Sequence, residues 1–337
     1  MKRSHVLAVL ALIAAVLILD PLHLGAVSKK DVALDLLKRY SPSGYYVIDE
    51  YMKAPVKFTI GGSSTTVSRT DFGIYVQGSS AKEIAKSLNT AVHETCHGYT
   101  GTMALVYQQQ SGAPAGEQYL CYYVGGTQAV PVRLTKVFRT QETAKTFTKT
   151  QRSFRFKTYV DTSSADLGSQ VHGIYGLLDE LNAYYHGTRT SLDLLAFYQN
   201  EMPQTSATWL AFFQDVNGTY YAQLEFTLYI AKYLQYAKAK YPDIYQAIVA
   251  NQAFRLAYSR VAANWRALIQ EYFAVKEQVF ASLRAAGYKV NETETMLMIT
   301  DQSGKGQGLG NFRDVYAQLS KELEDPELQS MLAMISQ

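Results

Sequence analysis

SSAKEIAKSLNTAVHETCHG, residues 79–98, is the stretch on which the reading of this chain turns. Ser80 with Glu83 three residues later is a capping box, the reciprocal pairing that opens many helices. Ile84, Ala85, Leu88, Ala91 and Val92 then recur at helical spacing, so a helix is predicted over 79–98, with Gly98 as its stop. Near its end stands His93-Glu94-Thr95-Cys96-His97, an H-E-x-x-H motif. Residues i and i+4 share one helix face about 6 Å apart, so both imidazoles can reach one metal ion. Glu94 lies about 100° round the helix from His93, beside the metal position rather than on it. Zinc takes neutral imidazole and lowers the pKa of a bound water to about 7. Glu94 is then placed to accept that water's proton and return it to a leaving amine. With six histidines and few glutamates in 337 residues, the motif arises by chance with odds of about 0.5%.

A catalytic zinc needs a third protein ligand and an open position. The extended pattern H-E-x-x-H-x-x-G-x-x-H would need Gly at 100 and His at 103; the chain has Thr100 and Met103, which excludes that branch. The best third ligand is Glu180, in GIYGLLDELNAYYHG (173–187). Ile174, Leu177, Leu178, Leu181 and Tyr185 form one apolar side of a helix there. Gly173, Gly176 and Ala183 share the carboxylate's face and would let another helix come close. Glu142, Asp179, His172 and His186 compete for the ligand role. Asp179 points about 100° away from Glu180. Its next-best role is to accept the second ring N–H of a ligating histidine.

An H-E-x-x-H helix followed some 80 residues later by a Glu-bearing helix resembles the gluzincin zinc metallopeptidases, of which thermolysin-like enzymes are familiar members. Glu180-Leu181-Asn182-Ala183 resembles the segment around the ligand in several such families. The resemblance implies a zincin-like mixed α/β half that carries the active-site helix, then a helical half that supplies the glutamate. It implies one zinc per chain held by His93, His97 and Glu180, with Glu94 as catalytic base. A peptide or protein is the implied substrate. Thermolysin-like enzymes place an Asp four residues after the ligand Glu to orient the first His; here that position is Tyr184, a departure from that subfamily. In zincins an edge strand before the helix aligns substrate, and FGIYV at 72–76 is placed for it. His172, Tyr184, Tyr185 and His186 flank Glu180 as candidate donors to a transition-state oxyanion.

Away from the motif, composition removes several classes. Hydrophobic residues make up 47% of the chain and charged residues 18%, against about 25% in an average soluble protein. Disorder is excluded at that apolar content. A formal net charge of +3, with no basic block, excludes a nucleic-acid partner. Lys2 and Arg3 precede an apolar run from Val6 to Leu19 that Asp20 and Pro21 end. The run falls short of the ~20 residues of a membrane span and fits a signal peptide over 1–28, with Ala26 and Ser28 at a cleavage site. An uncleaved anchor is the alternative and would be the chain's only membrane contact. Either way a secreted or extracytoplasmic protein is expected, and no cysteine near the run offers a lipid anchor. Loss of the leader leaves His93, His97, His172 and His186, so half of the remaining histidines sit in the motif. Cys96 and Cys121 are either bridged or two free buried thiols.

Along the rest of the chain a short helix is predicted over 29–44, then β structure from 45 to 78 (YYVIDEY, VKFTI and FGIYV, with a turn at Gly61–Ser64). MALVY (103–107), QYLCYYV (118–124) and AVPVRL (129–134) read as strands, and 140–151 as a short helix. Helical patterns fill 171–186, 190–200, 206–238, 242–286 and 311–335, with breaks at Asn217-Gly218 and Tyr241-Pro242. The expected fold class is α+β: a mixed subdomain over 29–168 and a mostly helical one over 169–337. Two other functions fit less of this pattern. One is a non-catalytic zincin-like binding protein, to which 26 tyrosines would lend contact surface; the other is a cell-envelope protein with an accidental motif.

Overall fold

A computed structural model of the chain describes residues 28–336. The expected leader therefore lies outside the described residues except for Ser28. Ser28 caps helix α1 (Lys29–Tyr40): its hydroxyl accepts from the Asp31 N–H, and the Asp31 carboxylate accepts from the Ser28 N–H. A chain cut after Ser28 would begin α1 without this cap.

The α+β class holds, with 62% helix and 11% strand in small antiparallel sheets. The strand content of the first half is smaller than its sequence suggests. YYVIDEY forms helix α2 (Pro42–Lys53), with Pro42 at its first turn and Val47, Ile48 and Tyr51 buried on one helical face. VKFTI does supply strand β1 (Lys57–Ile60), which turns at Gly61-Gly62 into β2 (Ser63–Thr66). FGIYV is not an edge strand. Phe72–Ile74 is a 3-10 turn opened by Asp71, whose side chain accepts from the Gly73 N–H. Phe72 and Val76 point into the core while Ile74 is 64% exposed, a spacing of four rather than the alternation of a strand.

Helix α3 (Ala81–Ser111) opens on the Ser80–Glu83 capping box, as the sequence predicts. It does not stop at Gly98. It continues through MALVY to Gly112, which ends it in the left-handed conformation. Glycine at 98 answers to packing: a Cβ there would lie 2.7 Å from Cζ of Tyr51, on α2. The two expected strands, β3 (Tyr119–Gly125) and β4 (Gln128–Arg133), form an antiparallel hairpin, paired from Tyr119–Arg133 inward, and pack on α3. Residues 140–146 make a 3-10 segment in place of the predicted short helix.

The second half follows in the order α4 (Phe156–Tyr159), α5 (Gly168–Val171), α6 (Ile174–Asp193), α7 (Leu195–Asn200), α8 (Ser206–Asn217), α9 (Ala222–Lys240), α10 (Pro242–Ala250) and α11 (Gln252–Ala285). The breaks after Asn217 and at Tyr241-Pro242 fall where the sequence puts them. A three-stranded antiparallel sheet then appears: β5 (Lys289–Glu292), β6 (Met296–Thr300) and β7 (Gly306–Gly310), in the order β5-β6-β7. It is not legible as alternation. In Met-Leu-Met-Ile the outward methionines are as apolar as the buried Leu297 and Ile299. Helices α12 (Arg313–Glu322) and α13 (Pro326–Ala333) close the described chain.

Helix α6 is the spine. It packs on α3 along one side and on α9 and α11 along others. Ile174, Leu177, Leu178 and Leu181 are buried in it, each stabilising by about 1.5–3 kcal/mol relative to exposure. The Trp265 indole N–H, on α11, donates to the Leu181 carbonyl and fixes the helix axially. Much of the tyrosine complement is in this core rather than on the surface. Tyr122, Tyr175, Tyr220, Tyr229, Tyr233 and Tyr272 are essentially fully buried. Their hydroxyls tie loops to helices; Tyr233, for example, donates to the Phe138 carbonyl and Tyr122 to that of Tyr175.

Candidate metal centre

The α3–α6 contact brings the sequence-predicted ligands together. His93 Nε2 and His97 Nε2 are 3.2 Å apart, and Glu180 Oε2 lies 3.9 Å from the first and 3.5 Å from the second. Two donors each about 2.0–2.1 Å from a tetrahedral zinc stand roughly 3.3 Å from one another. The triangle therefore has the edge lengths of a three-ligand face. Among the described residues this is the one group of His, Cys, Asp and Glu that could hold a metal ion. Glu180 Oε2 is buried and no hydrogen-bond donor satisfies it. A carboxylate oxygen in that state is costly, and a cation removes the cost.

Close helix approach makes the triangle possible. A Cβ at Gly187 would fall 2.8 Å from Asn89 Oδ1 and 3.3 Å from His93 Cβ. One turn nearer Glu180, Ala183 is fully buried beside Cys96. The small-residue face is thus Ala183 and Gly187. Of the two glycines predicted to share it, Gly176 packs against the Gly168 carbonyl on α5, and Gly173 caps α6. The Asn89 amide donates to Ser191 Oγ at 2.8 Å and pins the same interface one turn before His93 on α3 and about three turns past Glu180 on α6.

Asp179 Oδ2 is 2.7 Å from His97 Nδ1, which leaves His97 Nε2 free to face the triangle. His93 has no carboxylate of this kind. The Tyr184 ring packs edge-on against its imidazole, centroids 4.4 Å apart. Burial holds the pKa of His93 well below the usual imidazole value, with the charges of His97 and Arg155 acting the same way. For His97 burial also pushes down, but the Asp179 and Glu180 carboxylates outweigh it and the net displacement is upward. Burial raises Glu94, opposed by His97 and reinforced by Glu180. Glu94 is half-buried and near enough to feel both charges.

A cleft of about 530 Å³ opens beside His97. Tyr51, Ser68, Thr70, Thr102, Tyr119 and His172 are among the residues on its walls. His172 is half-buried there, its pKa lowered by burial against the pull of Asp179. The other flanking residues serve elsewhere. His186 is fully buried, with Nε2 3.0 Å from the Tyr123 carbonyl and Nδ1 3.3 Å from Ser43 Oγ, and burial holds its pKa down at about 4. Tyr185 packs on Trp265. Glu142 accepts from the Tyr241 hydroxyl on a separate cavity and takes no part in the triangle. Cys96 and Cys121 are both free and buried, so the bridge does not form; burial raises both thiols, Cys121 to about 12.

Three neighbours are not among the sequence-predicted site residues, although Tyr75 lies in the FGIYV segment expected to align substrate. Tyr75 feels the charges of Glu94 and His97. The Tyr159 hydroxyl is 3.2 Å from that of Tyr184. Arg155 lies behind Tyr184. Each comes from an irregular or very short element, where no periodicity signals which way a side chain points. No known family matches the chain, and neither a curated protein nor a solved structure is similar to it.

Proposed function

We propose that the protein is an exported zinc-dependent metallopeptidase, its leader directing it out of the cytoplasm. One observation carries the reading: two imidazole nitrogens and a buried carboxylate oxygen without a donor converge at ligand spacing, with the motif's own glutamate alongside. Two neutral imidazoles and one carboxylate are the donor set of catalytic rather than structural zinc, since a structural site closes with a fourth protein ligand, often cysteine. Cys96 stands on the same helix but outside the group. Zinc would supply a Lewis acid for the scissile carbonyl and would acidify a water. The chain's own residues do the rest. Glu94 takes the water's proton and passes it to the departing amine. Asp179 holds the His97 ring in one tautomer. The cleft beside His97 receives the peptide, and its wall of hydroxyl and amide groups suits an extended backbone.

Metal analysis of the purified mature chain with a quenched-fluorescent peptide library tests this. One zinc per chain and peptide hydrolysis are expected. Glu94→Gln should keep the zinc and lose hydrolysis by about 10²–10⁴-fold. A chain that holds no zinc at neutral pH, or a Glu94→Gln variant as active as the parent, refutes the proposal.

A further inference from the structure

The first histidine lacks the carboxylate that the second has, yet its imidazole must be held as firmly for the triangle to close. The edge of the Tyr184 ring supplies one wall. Behind that ring the Arg155 guanidinium carbon sits 4.5 Å from the Tyr184 centroid and 4.9 Å from that of Tyr221. Arg155 is nearly inaccessible and Glu225 fully so. Glu225 accepts from the Arg155 guanidinium at 2.6 Å and from its backbone N–H at 3.0 Å. The guanidinium also donates to the Gly218 carbonyl at 2.9 Å. A cation held by two hydrogen bonds is thus stacked on an aromatic ring that also packs against a metal-ligand candidate.

We infer that Arg155, braced by Glu225, is a positioning residue of the metal centre: it locks Tyr184, and Tyr184 sets the His93 imidazole. The inference rests on the metal-centre reading above. Geometry favours the ring over the hydroxyl as the agent, because the hydroxyl is engaged with Tyr159.

The test is zinc affinity by chelator competition, with the visible spectrum of the cobalt-substituted protein as a second readout. Three variants of the mature chain are compared. Arg155→Met with Glu225→Gln removes both charges together and keeps an acceptor for the Arg155 backbone N–H. Tyr184→Leu removes the ring, and Tyr184→Phe removes only the hydroxyl. The double variant and Tyr184→Leu should bind zinc about 10–100-fold more weakly and shift the cobalt bands. Tyr184→Phe should match the parent in both. Metal-free unfolding temperatures close to the parent's would show that the loss is not a folding defect. If the double variant does not fold, Tyr184→Leu against Tyr184→Phe still decides. Parent-like affinity and spectra in every folded variant overturn this inference alone, whereas a parent without zinc overturns the metal-centre reading with it.

Discussion

Glu225 and Glu180 are both buried glutamates on long helices, and they are settled in opposite ways. Glu225 has a guanidinium on one oxygen and a backbone N–H on the other. Glu180 has an oxygen that nothing in the chain satisfies, flanked by two imidazole nitrogens. The first is a buried ion pair within hydrogen-bond distance, and the second faces imidazole nitrogens at 3.5 and 3.9 Å, a spacing that leaves room for a metal cation between them. Asp215, on α8, shows a third solution. No ion pair involves it among the described residues, and burial, only partly opposed by Lys86, lifts its pKa to about 7, so it holds its proton in mildly acidic solution. Of the two buried glutamates, Glu180 is the one whose oxygen the chain leaves without a donor.

The contrast can be broken most severely at the completed pair. Glu225→Ala leaves Arg155 charged, buried and unpaired, and should cost about 3–5 kcal/mol of stability in denaturant melts, with or without zinc. Glu180→Gln should do the reverse. Its metal-free melting temperature should move much less than that of Glu225→Ala, while zinc affinity falls more than the ~100-fold typical of losing an outer-shell partner. Equal destabilisation of the metal-free forms would abolish the distinction. The smallest effect concerns Asp215. Its folded pKa is raised from 3.8, so its contribution to stability is complete below about pH 4 and fades as the pH rises through about 7. Asp215→Asn should flatten that decline, by an amount on the order of 1 kcal/mol after allowance for partial solvation, in melts at pH 4.5 and 7.5.

What the sequence reveals of the site is what helical periodicity can express. His93 and His97 are one turn apart, Glu180 carries the third donor, and Asp179 falls to the neighbouring face; the structure brings all four together. Their helices are long enough for period 3.6 to be read. Arg155, Tyr159 and Tyr75 reach the site through space from turns and a four-residue helix, so nothing local predicts them. The misread strands have a related cause. YYVIDEY, FGIYV and MALVY are five- to seven-residue runs rich in aliphatic and aromatic residues, a length at which strand and buried helix look alike. In each case the arbiter lay outside the run: a proline start for α2, the Asp71 cap for the 3-10 turn, and Tyr51 filling the space above Gly98.

That last contact separates the wall of the cleft from the ligand triangle. The Tyr51 ring rests in the notch left by Gly98, and its hydroxyl accepts from the Thr70 N–H at 3.0 Å, so the loop that walls the cleft is gauged from the residue next to His97. A methyl group at position 98 would meet the Tyr51 ring, not a ligand. Natural variation at this one position can therefore reshape what the cleft accepts while leaving the coordinating atoms where they are.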